Sequence, residues 1–313
     1  MAGGGEASWK LGRLAAGELE LSGRMLRLTN TDRVYFPAAG LTKGHLLHYY
    51  REVAPFFLPH LRNRPLSLER FPEGVDAPSF YQKNAPAFFP SWLRTFPIEY
   101  RRARKIDRHV LVDDAAGLVY LANLGTITFH TFLSRIDDLS HPDILIIDID
   151  PPPADSHSLE EAFEAAAQTA LLLKVELQLL GMKPHVKTSG KRGIHLGLPL
   201  DGNLTYEELR HSLAQLFARL TETHPDLATR AMRKERRQGR VYLDAQRMAL
   251  GATVVPPYTV RPTPTATISM PVTWDELETL PHGQTFTMAN TLERLATVGD
   301  LWAAVITGYT RSR

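Results

Sequence analysis

The stretch DILIIDIDPPP, residues 143–153, decides how the rest of the chain is interpreted. Four consecutive aliphatic residues lead to Asp148, Ile149 and Asp150, and three prolines end the run. This pattern predicts a strand that is buried on both faces. Because side chains alternate along a strand, Asp148 and Asp150 are expected on the same face, with Ile149 on the other.

Two neighbouring carboxylates at the end of an apolar strand repel each other and are costly to remove from water. A divalent cation that prefers oxygen ligands, Mg²⁺ or Mn²⁺, would relieve both costs. The alternative is a strand that has simply reached solvent, with Asp150 and Pro151 opening a turn. For an isolated Asp-x-Asp the alternative is the commoner case, but the sequence downstream reverses this preference.

The composition is that of an ordinary soluble globular protein. The chain has 313 residues, of which 43% are hydrophobic and 22% are charged, and its formal net charge is +2. It contains no cysteine, which excludes disulfides, thiolate metal sites and a cysteine nucleophile. No apolar run approaches the roughly 20 residues of a membrane span. Residues 1–18 are expected to be a flexible leader, and the expected location is the cytoplasm, in association with the nucleoid.

Helix caps and the spacing of apolar residues predict three long helices, whereas the proline- and aromatic-rich residues 64–97 are interpreted as an irregular binding loop. Since strands and helices do not alternate strictly, the fold class is predicted to be α+β, with mixed sheets and helices outside. A basic cluster around Arg101 is as compatible with a solvated surface as with binding of DNA, and a second basic cluster runs from Arg230 to Arg240. The predicted helices are 43–61 after Thr42, from the capping box at 158–161 to Leu180, and from that at 205–208 to about His224.

Two further features follow the paired aspartates in sequence order. Residues 187–195 form a turn rich in hydroxyl groups and glycine, where backbone N–H groups, Ser189 and Arg192 can converge on an anion. Asp244 then ends another apolar strand, directly downstream of arginines. Each feature alone is weak. Together, three strand-borne carboxylates and a phosphate-binding turn are the parts that a two-metal nucleotidyltransferase needs.

Beyond these features, motifs spread from Leu26 to Leu301 resemble the primase-polymerase domain of bacterial ligase D, in the archaeo-eukaryotic primase superfamily. The resemblance implies an α+β, archaeo-eukaryotic primase-like fold with mixed or antiparallel sheets, an RRM-like catalytic palm and flanking helices. It implies one domain over 19–313, with an N-terminal lobe over about 19–135 and a palm over about 136–313. The motifs are TNTDRVYFP at 29–37, GLTK at 40–43, FPEGVD at 71–76, FYQK at 80–83, DIDP at 148–151, TSGKRGIH at 188–195, VYLD at 241–244, PYTVR at 257–261 and PVTWDEL at 271–277.

The same resemblance implies a template-dependent DNA/RNA polymerase that fills gaps and extends 3′ ends at double-strand breaks in non-homologous end joining. It would prefer ribonucleotides, use Mn²⁺ or Mg²⁺, and meet 5′-phosphorylated DNA, NTPs or dNTPs, Ku and a DNA ligase, with no membrane partner. The implied catalytic metal ligands are Asp148, Asp150 and Asp244; the nucleotide contacts are His130, Ser189, Arg192, Arg261, Arg70 and Arg237; the 5′-phosphate pocket is Arg33 and Lys43; the template contacts are Phe80, Tyr81 and Lys83.

The chain departs from the family pattern at three places. One is the Thr-Ser-Gly motif, where the basic pair Lys191 and Arg192 replaces the commoner Ser-Lys, so that either residue could reach the phosphates. Arg33 stands where the family usually has lysine, which keeps the charge but changes the donor geometry. After Asp244 the family often has Trp-Ser-Gln-Asn, whereas this chain has residues AQRM at 245–248.

Two other functions stay open at this stage. One is a non-catalytic module that binds 5′-phosphorylated ends and recruits a ligase, and the other is a primase that starts strands de novo. The intact trio Asp148, Asp150 and Asp244 favours the polymerase over the binding module, since a module without catalysis has no need of it.

Overall fold

The structure, a computed structural model, describes residues 10–100, 104–155 and 157–307. Residues 1–9 of the predicted leader, and residues 101–103 of the first basic cluster, lie outside the described residues. The helices are α1 Lys43–Leu61, α2 Ala115–Asn123, α3 Leu159–Leu179, α4 Tyr206–Thr223, α5 Trp274–Thr279, α6 Met288–Val298 and α7 Ala303–Thr307. The strands are β1 Gly17–Leu21, β2 Arg24–Leu28, β3 Val34–Phe36, β4 Leu41–Thr42, β5 Leu66–Arg70, β6 Phe80–Gln82, β7 Thr95–Tyr100, β8 Lys105–Val110, β9 Thr126–Phe132, β10 Ile144–Asp150, β11 His185–Thr188, β12 Ile194–Pro199, β13 Ala228–Thr229, β14 Val241–Leu243, β15 Thr253–Val254 and β16 Pro271–Val272.

Two larger sheets organise the molecule. The palm sheet has the strand order β13-β14-β10-β12-β11-β16, in which β13 and β14 are parallel and the other neighbours are antiparallel. The second sheet has the order β15-β9-β5-β8-β7, with β6 beside β5, and its pairs are antiparallel. Helices flank these sheets, and α3 packs against β10, β12 and β14. The predicted α+β class with mixed and antiparallel sheets is confirmed.

The helix starts follow from the predicted caps. Ser158 Oγ accepts the N–H of Glu161 at 3.1 Å, and the Glu161 carboxylate accepts the N–H of Ser158 at 2.9 Å. Thr205 and Glu208 repeat this reciprocal arrangement at the start of α4. Two otherwise unpaired N–H groups are thereby satisfied at each start. The three long helices are confirmed to within one residue of their predicted bounds.

The expectation of an irregular loop over residues 64–97 is wrong for three stretches of it, although residues 71–79 and 83–94 contain neither helix nor strand. This segment contains β5, β6 and the beginning of β7. The sequence of β5, LSLER, alternates between apolar and polar residues from Leu66 to Glu69, but its burial does not alternate, since Ser67 and Glu69 are buried along with Leu66 and Leu68. Four alternating residues are a short strand signal within a segment rich in proline and aromatic residues.

A buried ion pair joins the starts of the two sheets. Arg64, just before β5, forms two hydrogen bonds of 2.6 Å with the carboxylate of Asp143, just before β10. Arg135 Nε donates to the same carboxylate at 2.7 Å. Around this pair, one contiguous hydrophobic core contains residues of both sheets. In the described ranges, none of the helices has both the length and the apolar character that crossing a bilayer requires.

Candidate active site

The pairing of β10 with β14 brings the predicted carboxylates together. Ile149 of β10 lies opposite Leu243 of β14, so one position further along the antiparallel register Asp148 meets Asp244. Asp148 and Asp150 line a cleft of about 940 Å³. Residues that are distant in the sequence thus share one face of the palm sheet.

A single arginine contacts two of these carboxylates. Arg247 Nε lies 3.3 Å from Asp148 Oδ2 and 3.7 Å from Asp244 Oδ2. Because both carboxylates contact the same nitrogen, Asp244 lies beside Asp148, as a shared metal site would require.

The carboxylates differ in how readily they ionise. Burial and the neighbouring Asp148 raise the pKa of Asp150 to about 6. Burial also disfavours the charged form of Asp148, but His195 and Arg247 outweigh it and hold the pKa of Asp148 below its usual value. Crowding of like charges is the condition that a divalent cation relieves.

The donor chemistry of the cluster suits Mg²⁺ or Mn²⁺, since all three side chains offer carboxylate oxygens. Yet within residues 10–100, 104–155 and 157–307, no group of three or more His, Asp or Glu side chains is arranged so that it could hold a metal ion as it stands. The guanidinium of Arg247 takes up the charge of Asp148 and Asp244 instead. The three carboxylates are suitable ligands for Mg²⁺ or Mn²⁺, and the guanidinium of Arg247 contacts two of them.

A buried polar chain supports Asp148. His195 of β12 is paired opposite Asp148, and its Nε2 lies 3.4 Å from Asp148 Oδ1. Lys187 Nζ lies 2.9 Å from His195 Nδ1 and donates to Ser269 Oγ at 2.6 Å. Neither Lys187 nor His195 is predicted as a site residue, because only the pairing of three strands brings them to Asp148. Their place in the same turn motif as Ser189 is the one sequence signal that points to them.

The turn between β11 and β12 is held by Ser189. Its Oγ accepts the N–H of Lys191 at 3.2 Å and that of Gly193 at 3.1 Å. Gly190 has a φ of +72°, and a Cβ there would lie 2.6 Å from Arg261 Cγ. Glycine therefore allows both the left-handed conformation and the close approach to Arg261.

Basic side chains converge on the cleft. Arg261 is only 8% exposed, and its Nε is buried without a hydrogen-bond partner. Burial lowers the pKa of Arg261, an effect that Glu69 partly offsets. A buried guanidinium with an unused donor in a cleft wall is suited to an anionic ligand. The basic residues that line the cleft are Lys191, Arg192, Lys234, Arg237, Arg247 and Arg261.

Two of the predicted nucleotide contacts are anchored by backbone carbonyls. Arg192 Nη2 donates to Pro152 O at 2.7 Å. Arg237 Nε donates to Ala231 O at 3.3 Å, and its guanidinium carbon lies 3.9 Å from the centre of the Tyr242 ring. Both arginines line the cleft, and their contact with a nucleotide stays a prediction.

His130 also lines the cleft, where it faces an acidic residue that the sequence does not single out. Its Nε2 lies 3.5 Å from Glu69 Oε2, and its ring centre lies 5.5 Å from that of Tyr81. Burial lowers the pKa of His130 despite the nearby Glu69. Glu69 could have been found only if residues 66–70 had been recognised as a strand paired with the strand that carries His130.

Arg70, the next residue on β5, has different neighbours. Its Nε donates to Leu124 O at 3.0 Å, its Nη1 donates to Gln82 Oε1 at 2.7 Å, and its guanidinium carbon lies 5.2 Å from the centre of the Phe80 ring. It is not among the described residues that line the cleft. Alternation along β5 accounts for the different neighbours of Glu69 and Arg70, and the predicted role of Arg70 in nucleotide binding stays untested.

Arg33 and Lys43 meet at the neck of the β3–β4 hairpin. The N–H of Lys43 donates to the carbonyl of Arg33 at 2.8 Å. Lys43 Nζ donates to Thr29 O at 2.6 Å, and Arg33 Nη1 forms an ion pair of 2.5 Å with Glu73 Oε1. Burial, together with the charge of Arg33, lowers the pKa of Lys43 to about 8. Two neighbouring cations of this kind suit a phosphate group.

The predicted template contacts lie on and just after β6. Phe80 and Tyr81 are 46% and 58% exposed, which is unusual for aromatic side chains of this size. Lys83 is exposed as well. Exposed aromatic rings beside a cation are suited to stacking on nucleic-acid bases.

Residues 42–302 match the family model described as "LigD, primase-polymerase domain". The chain belongs to the LigD primase-polymerase domain family. Members of this family are nucleotidyltransferases. The resemblance noted in the sequence is confirmed.

A solved structure of the same fold is the polymerase domain of Mycobacterium tuberculosis ligase D in complex with DNA. It superposes on this LigD primase-polymerase domain with a TM-score of 0.83 at 28% identity, covering 91% of this chain and 99% of that one. The bifunctional non-homologous end joining protein LigD of Bacillus subtilis is 30% identical over 275 residues, which is 88% of this chain and 43% of that protein. The multifunctional LigD of Mycolicibacterium smegmatis is 28% identical, over 89% of this chain and 36% of its own length. The chain thus spans less than half the length of these two relatives.

Proposed function

We propose that this LigD primase-polymerase domain is a template-dependent polymerase that adds nucleotides to 3′ ends at gaps and double-strand breaks in non-homologous end joining. The observation that carries the proposal is the β10–β14 register, which gathers Asp148, Asp150 and Asp244 beside a basic cleft. The DNA-bound relative and the names of the curated relatives support the setting at DNA ends. A location in the cytoplasm, in association with the nucleoid, follows from this role.

In the proposed reaction, the cleft holds the triphosphate of the incoming nucleotide. Lys191, Arg192 and Arg261 supply donors, and the buried Nε of Arg261 is free to bind a phosphate oxygen. The 3′-oxygen of the primer attacks the α-phosphorus, its proton passes to solvent, and pyrophosphate leaves with the electron pair of the broken bond. Cations positioned around the leaving group stabilise the charge that develops on it.

Asp148, Asp150 and Asp244 would hold Mn²⁺ or Mg²⁺. Such ions, when bound, neutralise the charge on the attacking and leaving oxygens. The carboxylates themselves fix where that charge is neutralised, and His195 keeps Asp148 in place. The preference for ribonucleotides is part of the proposal and rests on the family resemblance alone.

The remaining predicted residues would hold the DNA. Arg33 and Lys43 would bind the 5′-phosphate of the downstream strand, since a terminal dianionic phosphate favours two cations over one. Phe80 and Tyr81 would stack on the template, with Lys83 at its backbone. A DNA ligase and a Ku-type protein are the proposed partners at the break.

The test is primer extension on a gapped duplex with or without a 5′-phosphate, comparing ribo- with deoxyribonucleotides and Mn²⁺ with Mg²⁺. We expect metal-dependent addition that Asp148→Asn or Asp244→Asn lowers by at least about 100-fold. Arg33→Ala and Lys43→Ala should remove the advantage of the 5′-phosphate. Arg27→Ala, at an exposed arginine of β2, is the matched control.

Three outcomes would count against parts of the proposal. Binding of the gapped duplex without extension in either metal would indicate an end-binding module in place of a polymerase. Synthesis on a single strand without a primer would indicate a de novo primase. A 5′-phosphate advantage that survives both N-terminal substitutions would show that Arg33 and Lys43 are not its pocket.

A further inference from the structure

Arg247 contacts two carboxylates of the candidate active site through its guanidinium group. Its Nε contacts Asp148 and Asp244, and its side chain is 53% exposed. Its backbone belongs to a 3₁₀ turn, Ala245–Arg247, which begins with Asp244 Oδ1 accepting the N–H of Gln246 at 2.9 Å. Met248, directly after the turn, is buried. The base of the side chain is therefore fixed, while the guanidinium is held only by a half-exposed ion pair.

The arginine side of this ion pair is open to solvent, which screens its charge, and the long side chain loses freedom when it is held in one place. The two carboxylates it joins are the ones that would share a divalent cation. One positive charge also balances only part of the negative charge of Asp148, Asp150 and Asp244. The guanidinium therefore occupies the contacts of a metal without matching its charge.

We infer that Arg247 competes with the divalent metal for Asp148 and Asp244, and that an incoming triphosphate removes this competition by binding the guanidinium itself. This inference rests on the proposed polymerase function and adds a residue to it. Arg247 lines the same cleft as Lys191, Arg192 and Arg261, where the triphosphate would lie. A guanidinium binds phosphate oxygens through paired donors, so a triphosphate offers it a better partner than two carboxylates that a metal also seeks.

The consequence is that metal and nucleotide help each other to bind. Without a nucleotide the metal must displace Arg247, and with a nucleotide it does not. Coupling of this kind is reciprocal, so the metal raises the affinity for the nucleotide by the same factor.

The alternative is that the ion pairs of Arg247 only hold Asp244 next to Asp148 and so keep the metal ligands in position. The two roles predict opposite effects of removing the side chain. If Arg247 competes with the metal, its removal strengthens metal binding. If Arg247 only positions the ligands, its removal weakens metal binding.

The experiment measures Mn²⁺ binding directly, from the electron paramagnetic resonance signal of free Mn²⁺, in the full chain and in Arg247→Ala without nucleotide. We expect Arg247→Ala to bind Mn²⁺ about tenfold more tightly. Binding of a fluorescent nucleoside triphosphate in EDTA is measured beside it, and there Arg247→Ala should bind more weakly. In both measurements, the affinity of Arg247→Lys, which keeps the charge, should lie between that of Arg247→Ala and that of the unsubstituted chain.

Arg210→Ala is the matched control. Arg210 lies on α4, 3.5 Å from Gln246 of the same turn, and its ion-pair partner is Glu207, not a carboxylate of the cleft. Its removal deletes a nearby positive charge without freeing Asp148 or Asp244, so Mn²⁺ binding should stay within about twofold of the unsubstituted chain. Thermal unfolding in EDTA shows that each variant is folded.

Equal or weaker Mn²⁺ binding by Arg247→Ala would overturn the inference, and so would an Arg210→Ala variant that gains as much affinity as Arg247→Ala. Primer extension by the unsubstituted chain is scored separately. Extension together with unchanged Mn²⁺ affinity in Arg247→Ala would refute the competition and leave the polymerase standing. Tighter Mn²⁺ binding by Arg247→Ala, with no extension by the unsubstituted chain, would support the competition and refute the polymerase function.

Discussion

Lys187 Nζ lies 2.9 Å from His195 Nδ1, within the buried interior next to Asp148. Burial lowers the pKa of Lys187 well below its usual value, and burial with the Lys187 charge lowers the pKa of His195 to about 4. With Lys187 as the donor, Nδ1 accepts, and the ring proton is assigned to Nε2, which faces Asp148 Oδ1. Lys187 therefore fixes the tautomer through which His195 holds Asp148.

Lys187→Met should release this tautomer. We expect extension to slow by about tenfold, the lower end for the loss of a partner behind a metal ligand, while affinity for DNA stays the same. Nitrogen-15 NMR shifts of the His195 ring would report the tautomer directly. Lys174→Met is the control, because Lys174 stacks on Trp274 away from the cleft. An unchanged His195 spectrum in Lys187→Met would contradict the assignment.

Asp150→Asn should stabilise the metal-free protein at pH 7.5. The folded pKa of Asp150, about 6, is above its ordinary value of 3.8. The stability that this group contributes is therefore fully present below about pH 3.8 and is lost as the pH rises through 6. The asparagine variant avoids that loss, which is about 2 to 3 kcal/mol at pH 7.5.

Urea unfolding in EDTA at pH 4 and at pH 7.5 measures this effect. The gain from Asp150→Asn should shrink at pH 4, where the folded state holds the proton and the unfolded state holds it in part, and Asp226→Asn, at an exposed aspartate, should show little gain at either pH. A destabilised Asp150→Asn at pH 7.5 would mean that the carboxylates do not crowd one another.

Recognition of the 5′-phosphate should depend on pH through Lys43. The folded pKa of Lys43, lowered to about 8 by burial and by Arg33, means that the lysine is charged below pH 8 and increasingly neutral above it. Affinity for a phosphorylated gap, relative to an unphosphorylated one, should fall from pH 8 to pH 9.5. Fluorescence anisotropy with both duplexes measures it. Lys43→Arg should keep the preference at pH 9.5, because a guanidinium stays protonated; a preference that is constant in the unsubstituted chain would exclude Lys43 from the pocket.

Asp143→Asn should destabilise the protein by about 3 to 5 kcal/mol, since it leaves Arg64 charged and buried without its counter-ion. Arg64 is fully buried and forms two hydrogen bonds of 2.6 Å with Asp143. Asp113→Asn provides the comparison, because its ion pair with Arg94 is exposed and should be worth less than about 1 kcal/mol. Chemical denaturation measures both. Equal losses from the two variants would show that burial does not decide the strength of the pair.

The contrast between β10 and β5 explains where prediction from the sequence succeeded and failed. β10 is an unbroken aliphatic run that ends in charge and proline, so its burial and the common face of Asp148 and Asp150 follow from local pattern. β5 is equally central, but Ser67 and Glu69 interrupt its apolar residues, and its burial results from neighbours that arrive later in the chain. The missed residue Glu69 follows directly from that missed strand.

The sequence by itself determined the three long helices, through their caps and apolar spacing, and the family, through short motifs that survive at low identity. It also singled out several of the basic and acidic residues that line the cleft. Only the tertiary structure decided which of them meet: that Arg247 contacts Asp148 and Asp244, that Lys187 lies behind His195, and that Arg70 lies apart from the cleft. The reason is that strand register and side-chain alternation between distant segments set these contacts, and no local pattern encodes the register.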